Sequence, residues 1–228
     1  MPVNLNNLEK VIGYSFKEKN LLKESLTHRS YLNENPKWKL PHNERLEFLG
    51  DAVLELAVTE ELYNRYPEKK EGELTGLRAA LVNYIMLAAI AREIGLDKYI
   101  LMSRGEAKDV GKAREVILAN AMEALIGAIY LDSTYKISRK FTDQFVMTQL
   151  DEVLKGGLYK DAKSLLQEKT QEALKTTPVY KVLSETGPDH AKVFEVGVYV
   201  GGKLLAKGAG HSKQEAEVEA AKDALNNL

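Results

Sequence analysis

Three carboxylates spaced for one helical face stand inside a segment that is otherwise almost wholly apolar. In NERLEFLGDAVLEL (43–56), Glu44, Glu47 and Asp51 are separated by three and then four residues. At about 100° per residue they fall within about 60° of arc on a helix. Leu46, Leu49, Val53 and Leu56 take the opposite side, and Phe48 and Leu54 flank the acids. Apolar positions nearly all round predict a buried helix. Carboxylates carried into such surroundings are costly unless protonated, paired with a base or bound to a cation. No Lys or Arg shares the stripe, so a metal cation is the simplest partner.

A second segment repeats the pattern. In VILANAMEALIGAIYL (116–131) Glu123 is the sole charged residue, and Asn120 lies one turn before it. The run is shorter than the roughly 20 residues a membrane span needs, and a central Glu opposes insertion. It therefore reads as a core helix with oxygen donors at i and i+3. For either helix alone, an acid bonded to backbone or to a distant Arg serves as well. Two such helices together point to one hard-cation site assembled between them.

The chain has 228 residues, enough for one large domain or two smaller ones, and 44% hydrophobic content suits a packed core. The absence of cysteine excludes disulfides, thiolate nucleophiles and Cys-ligated zinc. The start, MPVNLNNLEKVIGY, lacks a basic segment followed by an apolar one, so no secretory signal is expected and the cytoplasm is the expected location. Net charge is -1. Residues 160–228 hold ten Lys, no Arg and ten Asp or Glu. Any nucleic-acid surface must therefore be a local patch and not a global field.

Up to about Lys155 the pattern is helical: Leu5–Ile12 before Gly13, a short amphipathic run Leu21–Tyr31, then a loop 33–43 with Trp38 between Pro36 and Pro41. The acidic helix is expected to end near Tyr66 at Pro67, and Leu74–Ile94 to form one helix capped by Gly95. Ser103–Arg114 reads as a polar loop, and Ser138–Lys155 as an amphipathic helix after the buried one. Gly156-Gly157 is the best linker signal. This gives a domain over 1–155, a linker over 156–160 and a second domain over 161–228. In the latter, helix 162–175, alternating strands at 179–185 and 192–200, a Gly201-Gly202 hairpin to 203–207, a bend at 208–210 and a helix from 213 capped by Ser212 make α-β-β-β-α.

NERLEFLGDA, with LTHRSY (26–31), EGELTGLRAALV (71–82) and ILANAMEALIGAIYLDS (117–133), closely resembles the ribonuclease III family. SLLQEKTQ (164–171), GPDHAKVFEV (187–196) and GAGHSKQEAEVEAA (208–221) resemble the double-stranded RNA-binding domain. The resemblance spans nearly the whole chain. It implies an all-α endonuclease domain followed by a small α+β double-stranded RNA-binding domain, in a homodimer that cuts each strand of an RNA duplex to leave 5′-phosphate and 3′-hydroxyl ends. It further implies a Mg²⁺ site, with Mn²⁺ able to substitute, at Glu47, Asp51, Asn120 and Glu123. Asp51 and Glu123 would be catalytic, and Glu44 and Glu71 supporting acids. Ser164, Gln167, Glu168 and Gln171 on the first helix of the second domain, His190 in the following turn, and Ser212 and Lys213 at the last helix are assigned to RNA. Groove and phosphate contacts of this kind suit an A-form duplex.

One position departs from the family pattern, which carries Asp where this chain has Asn120. The amide offers an oxygen but no charge, and it cannot take a proton. The leading expectation is an Mg²⁺-dependent endoribonuclease acting on structured precursors such as ribosomal RNA, with no membrane partner. The alternative is a non-cleaving duplex-RNA-binding scaffold on the same fold. Hydrolysis of small phosphates would leave the second domain without purpose. His28 and His42 are expected in hydrogen-bonded structural roles, and Tyr14, Tyr31 and Tyr130 in the core or a subunit interface. Arg78 is expected to orient Glu71 or serve a dimer contact.

Overall fold

Asn4 caps the first helix by accepting from the Asn6 amide, and Gly13, at φ +67°, ends it in the left-handed conformation. In a computed structural model, which describes residues 4–156, 162–188 and 192–227, this helix α1 (Leu5–Ile12) opens the first of two compact units, Met1–Tyr159 and Lys160–Leu228.

The amphipathic run expected over Leu21–Tyr31 is two helices, α2 (Lys19–Ser25) and α3 (Arg29–Glu34). Between them Thr27 bridges Leu101, with the His28 amide donating to the Leu101 carbonyl at 2.9 Å and the Leu101 amide to Leu26 at 2.8 Å. This long-range pairing overrides local helical preference. Helix α4 (Glu44–Arg65) ends at Tyr66, before Pro67, as expected. The single helix expected over Leu74–Ile94 breaks at Asn83 into α5 (Glu71–Val82) and α6 (Tyr84–Glu93). The Asn83 side chain accepts from the Met86 amide at 3.0 Å, capping α6 at the cost of continuing α5. Gly95 follows at φ +70°.

The loop expected over Ser103–Arg114 contains a one-turn 3₁₀ segment, Glu106–Lys108, and α7 begins within it, at Lys112. Helix α7 (Lys112–Asp132) is the centre of the unit, packed by α4, α6, α2 and α8 (Tyr135–Phe145), with Leu118, Ala121, Met122, Leu125, Ile126 and Ile129 fully enclosed. The last expected helix, 138–155, is α8, a 3₁₀ turn (Met147–Gln149) and α9 (Leu150–Gly156).

Helix α4 corrects one expectation. It is buried on one side only, through Leu46, Gly50, Val53, Leu54, Ala57, Val58 and Leu62. Phe48 is 82% exposed, Leu56 55% and Tyr63 71%. Its apolar residues lie on two faces, one buried in this unit and one exposed.

The second unit runs α10 (Ala162–Leu174), β1 (Val179–Thr186), β2 (Val193–Val200), β3 (Lys203–Gly210) and α11 (Lys213–Asn226), with an antiparallel sheet in the order β1-β2-β3. The architecture is the α-β-β-β-α order read from the sequence. Gly201 and Gly202, at φ +57° and +81°, make the β2–β3 turn. Both helices pack on one sheet face through Leu166, Val198, Ala206, Ala220, Ala221 and Ala224. The bend expected over Gly208–Gly210 is instead the end of β3. A Cβ at Gly208 would stand 2.1 Å from the Ala220 nitrogen, so glycine there admits α11 against the sheet. Gly156 closes α9, and the remaining residues of the expected linker, 157–160, lie outside the described residues. Among the described residues no single helix is long and apolar enough to cross a membrane.

Candidate functional site

Helices α4 and α7 touch backbone to backbone. A Cβ at Gly50 would stand 1.8 Å from the Glu123 carbonyl oxygen, and one at Gly127 would stand 2.3 Å from the Leu46 carbonyl oxygen. Only hydrogen fits at either point. Glu47 and Asp51 flank Gly50, and Asn120 and Glu123 precede Gly127 by two turns and one. The glycine crossing therefore brings the two acidic stripes together.

The electrostatics show that they meet. Burial, then the charges of Asp51, Glu47 and Glu55, push the Glu123 carboxyl up to about 8. Glu47 is raised by burial and by Glu44 and Asp51, with the Asn120 amide and Arg29 partly offsetting the rise. No base on α4 or α7 neutralises the cluster. Carboxylate and amide oxygens crowded together are the donor chemistry a hard divalent ion takes. Among the described residues, however, no three His, Asp or Glu side chains are disposed to hold a metal as they stand.

Other assigned residues fall at different distances from this centre. Glu44 stands at its edge, 3.5 Å from Arg29 and 3.8 Å from His42. Glu71, exposed at the start of α5, accepts from the Thr75 hydroxyl at 3.1 Å and is not drawn into the cluster within one chain. Arg78 donates to the Thr59 hydroxyl at 3.1 Å, so it does not orient Glu71. His28 caps α3, its Nδ1 accepting from the Ser30 amide at 3.3 Å, and burial lowers its pKa. The Tyr14 hydroxyl donates to Asp132 at 2.6 Å, and Tyr31 packs edge-on against Trp38. Tyr130 is partly exposed. Two contributors were missed in the sequence. Glu55 lies one turn beyond Asp51 on the same stripe, so its spacing announced it. Arg29 reaches Glu44 from another helix, which no local pattern signals.

In the second unit Ser164, Gln167, Glu168 and Gln171 are all exposed on α10, and their spacing places them on one side of it. Ser164 and Gln167 line a hollow with Lys163, Tyr180 and Gln214, which joins α10 to the start of α11. The Ser212 hydroxyl accepts from the Glu215 amide at 3.1 Å, capping α11, while Glu215 accepts from the His211 amide at 2.8 Å. Lys213 stands at that same helix start, with Nζ 3.3 Å from Glu185. His190 lies outside the described residues.

Comparison with known proteins adds independent findings. The family described as Ribonuclease-III-like matches residues 18–150, and the Double-stranded RNA binding motif matches residues 162–228. Ribonuclease 3 of Desulforamulus reducens is 46% identical over 223 residues, covering 98% of this chain and 91% of the relative. Ribonuclease 3 of Nitratiruptor sp. is 44% identical over 225 residues, covering 98% and 96%. A solved nuclease domain of ribonuclease III from Campylobacter jejuni, described for structural flexibility in a region involved in dimer formation, is similar with TM-score 0.58 and 43% identity. It covers 64% of this chain and 97% of that one.

Proposed function

The chain belongs to the ribonuclease III family of double-stranded-RNA endoribonucleases, and from that premise we propose that it cleaves with a divalent cation, Mg²⁺ or Mn²⁺, held by Glu47, Asp51, Asn120 and Glu123. The observation that carries this is the backbone crossing of α4 and α7 at Gly50 and Gly127, which sets Glu47 and Asp51 against Asn120 and Glu123, where burial and like charge push the Glu123 carboxyl up. A cation at this place replaces the protons that like-charged oxygens otherwise demand. When bound it activates water and stabilises the leaving oxygen, giving 5′-phosphate and 3′-hydroxyl ends. The protein's own part is to hold the donors. Glu47 and Asp51 come from α4, Asn120 and Glu123 from α7, and Arg29 steadies Glu44 at the rim. The substrates are structured cytoplasmic precursors such as ribosomal and messenger RNA, and the second domain grips the duplex.

Asn120 makes this cluster one charge poorer than the family pattern. The parent protein is expected to cut duplex RNA with Mg²⁺ or Mn²⁺ and to be silent in chelator. Asn120→Asp should reach half-maximal cleavage at lower Mg²⁺, by several-fold, because a further carboxylate strengthens cation binding. Unchanged metal dependence in an active parent removes Asn120 from the cation's ligands. An inert parent with an active Asp variant establishes instead the non-cleaving scaffold, the reading that Asn120 alone favours.

The exposed stripe Phe48, Leu56 and Tyr63 on α4 supports a homodimer. A two-fold dimer also suits two antiparallel strands. Each Phe buried is worth about 1.5–3 kcal/mol and a symmetric interface buries two, so Phe48→Asp should weaken the dimer about a hundredfold or more. Sedimentation at micromolar concentration measures this. A monomeric parent contradicts the proposal.

A further inference from the structure

The lysine assigned to phosphate is already holding a carboxylate. Glu185, near the end of β1, lies with Oε1 3.3 Å from Lys213 Nζ and Oε2 3.8 Å from Lys192 Nζ. Its register partner on β2 is Phe194, and the Lys213 ammonium sits 5.6 Å from the centroid of that ring. Strand, ring and helix start thus converge to hold Lys213 against one oxygen of a carboxylate whose other oxygen faces Lys192. A carboxylate resembles a phosphate in charge and in its pair of acceptor oxygens. We propose that Glu185 is an internal competitor for RNA phosphate, which holds Lys213 in the free protein and so sets the affinity and salt dependence of duplex binding.

Binding replaces the Glu185–Lys213 pair with a phosphate–Lys213 pair and leaves a carboxylate close to the RNA backbone. The two side chains together bring no net charge to the interface. Fewer counterions leave the duplex than a free lysine would release. The second unit suits such tuning, since its lysines and acids are equal in number and Lys163 and Lys207 are likewise paired, with Glu217 and Glu195. Both members of the Glu185–Lys213 pair are substantially exposed, so the pair is weak enough for a phosphate to exchange it.

The inference rests on the reading of Lys213 as a phosphate contact, and the experiment separates the two. The full chain is titrated with a short RNA duplex in chelator, across a range of salt, as parent, Glu185→Gln, Lys213→Ala, the double variant and Glu195→Gln. Glu195 lies on β2 paired with Lys207, and its substitution removes the same charge elsewhere. Glu185→Gln should bind about two- to fivefold tighter at physiological salt, with the log–log salt slope steeper by up to about 0.9. That gain should largely vanish in the Lys213→Ala background and be absent in Glu195→Gln. If Lys213→Ala weakens binding while Glu185→Gln does nothing, the competitor is overturned and the phosphate contact stands. If Lys213→Ala changes nothing in either background, the phosphate contact itself fails. Equal gains from both Gln variants assign the effect to net charge and also overturn the inference. Matching melting curves for parent and Glu185→Gln establish that the comparison is between folded proteins.

Discussion

Glu123→Gln should lower the rate of duplex-RNA cleavage about a thousandfold while leaving duplex binding in place. The substitution keeps the side chain's size and removes the charge that a cation at the α4–α7 crossing would use. The same variant should be the more stable protein in metal-free buffer above neutral pH. Unfolded, the carboxyl gives up its proton near its ordinary value of 4.5; folded, it holds the proton to about 8. Between those values the native state binds more protons than the unfolded one. Stability therefore falls as pH rises through the window, this group's contribution being intact below 4.5 and gone above 8. The loss amounts to as much as a few kcal/mol. Glu47, also raised, adds a loss in the same direction. Glutamine has no such slope, so melting temperatures of parent and variant in chelator should diverge from about pH 5 to about pH 9. Parallel curves would show that Glu123 carries no such strain, whatever happens to cleavage. Saturating Mg²⁺ should narrow the gap by stabilising the parent more than the variant, which keeps only three of the four proposed ligands unchanged.

The acidic spacing was readable because a helix turns residue order into faces without reference to anything else in the molecule. Intervals alone group Glu44, Glu47 and Asp51 on one helix and pair Asn120 with Glu123 on another, whereas the choice of Glu47, Asp51, Asn120 and Glu123 as one ligand set comes from the family resemblance. What spacing does not carry is the partner of an apolar face. Phe48 and Leu54 look alike in the sequence, yet Leu54 is fully enclosed and Phe48 projects outward. Hydrophobicity states that a residue avoids water, not which surface covers it. The breaks at Thr27 and Asn83 were hidden for different reasons. Thr27 answers to Leu101, far along the chain, whereas Asn83 is a residue type that caps helices but stands inside an apolar run whose periodicity masks it.

The second domain was legible in its order of elements and in the Ser212 cap, since alternation and capping are local. Glycine was the ambiguous letter. Gly201 and Gly202 supply the turn that positive φ requires, but Gly208 stays in the strand and matters for the missing side chain. The Glu185–Lys213 pair was not readable at all, because it depends on β1 and α11 being neighbours of the same Phe194 ring.

Gly50→Ala should be among the most damaging single methyl additions in the chain. The new Cβ would stand 1.8 Å from the Glu123 carbonyl oxygen, 2.6 Å from its carbon and 2.9 Å from the Gly127 nitrogen. All three are backbone atoms inside a helix, so no side-chain rotation relieves the contact and α4 must move away from α7. Overpacking of a core costs about 1–3 kcal/mol, and more where the obstacle is rigid. Motion of α4 also carries Glu47 and Asp51 away from Glu123, and a misplacement of about 1 Å can cost about a hundredfold in rate. Stability and cleavage should therefore fall together. Gly127→Ala, blocked by the Leu46 carbonyl at 2.3 Å, should do the same. The double variant should cost less than the sum, since helices already parted by one methyl meet less resistance from the second. Gly72→Ala is the control. It lies in α5 with nothing within 4 Å of the added Cβ, and it should be neutral or stabilise by about 0.5–1 kcal/mol through helix propensity. Melting temperature and single-turnover cleavage of these four variants decide the matter. If Gly50→Ala melts and cuts like Gly72→Ala, the helices do not meet at that glycine, and the crossing does not position the acids.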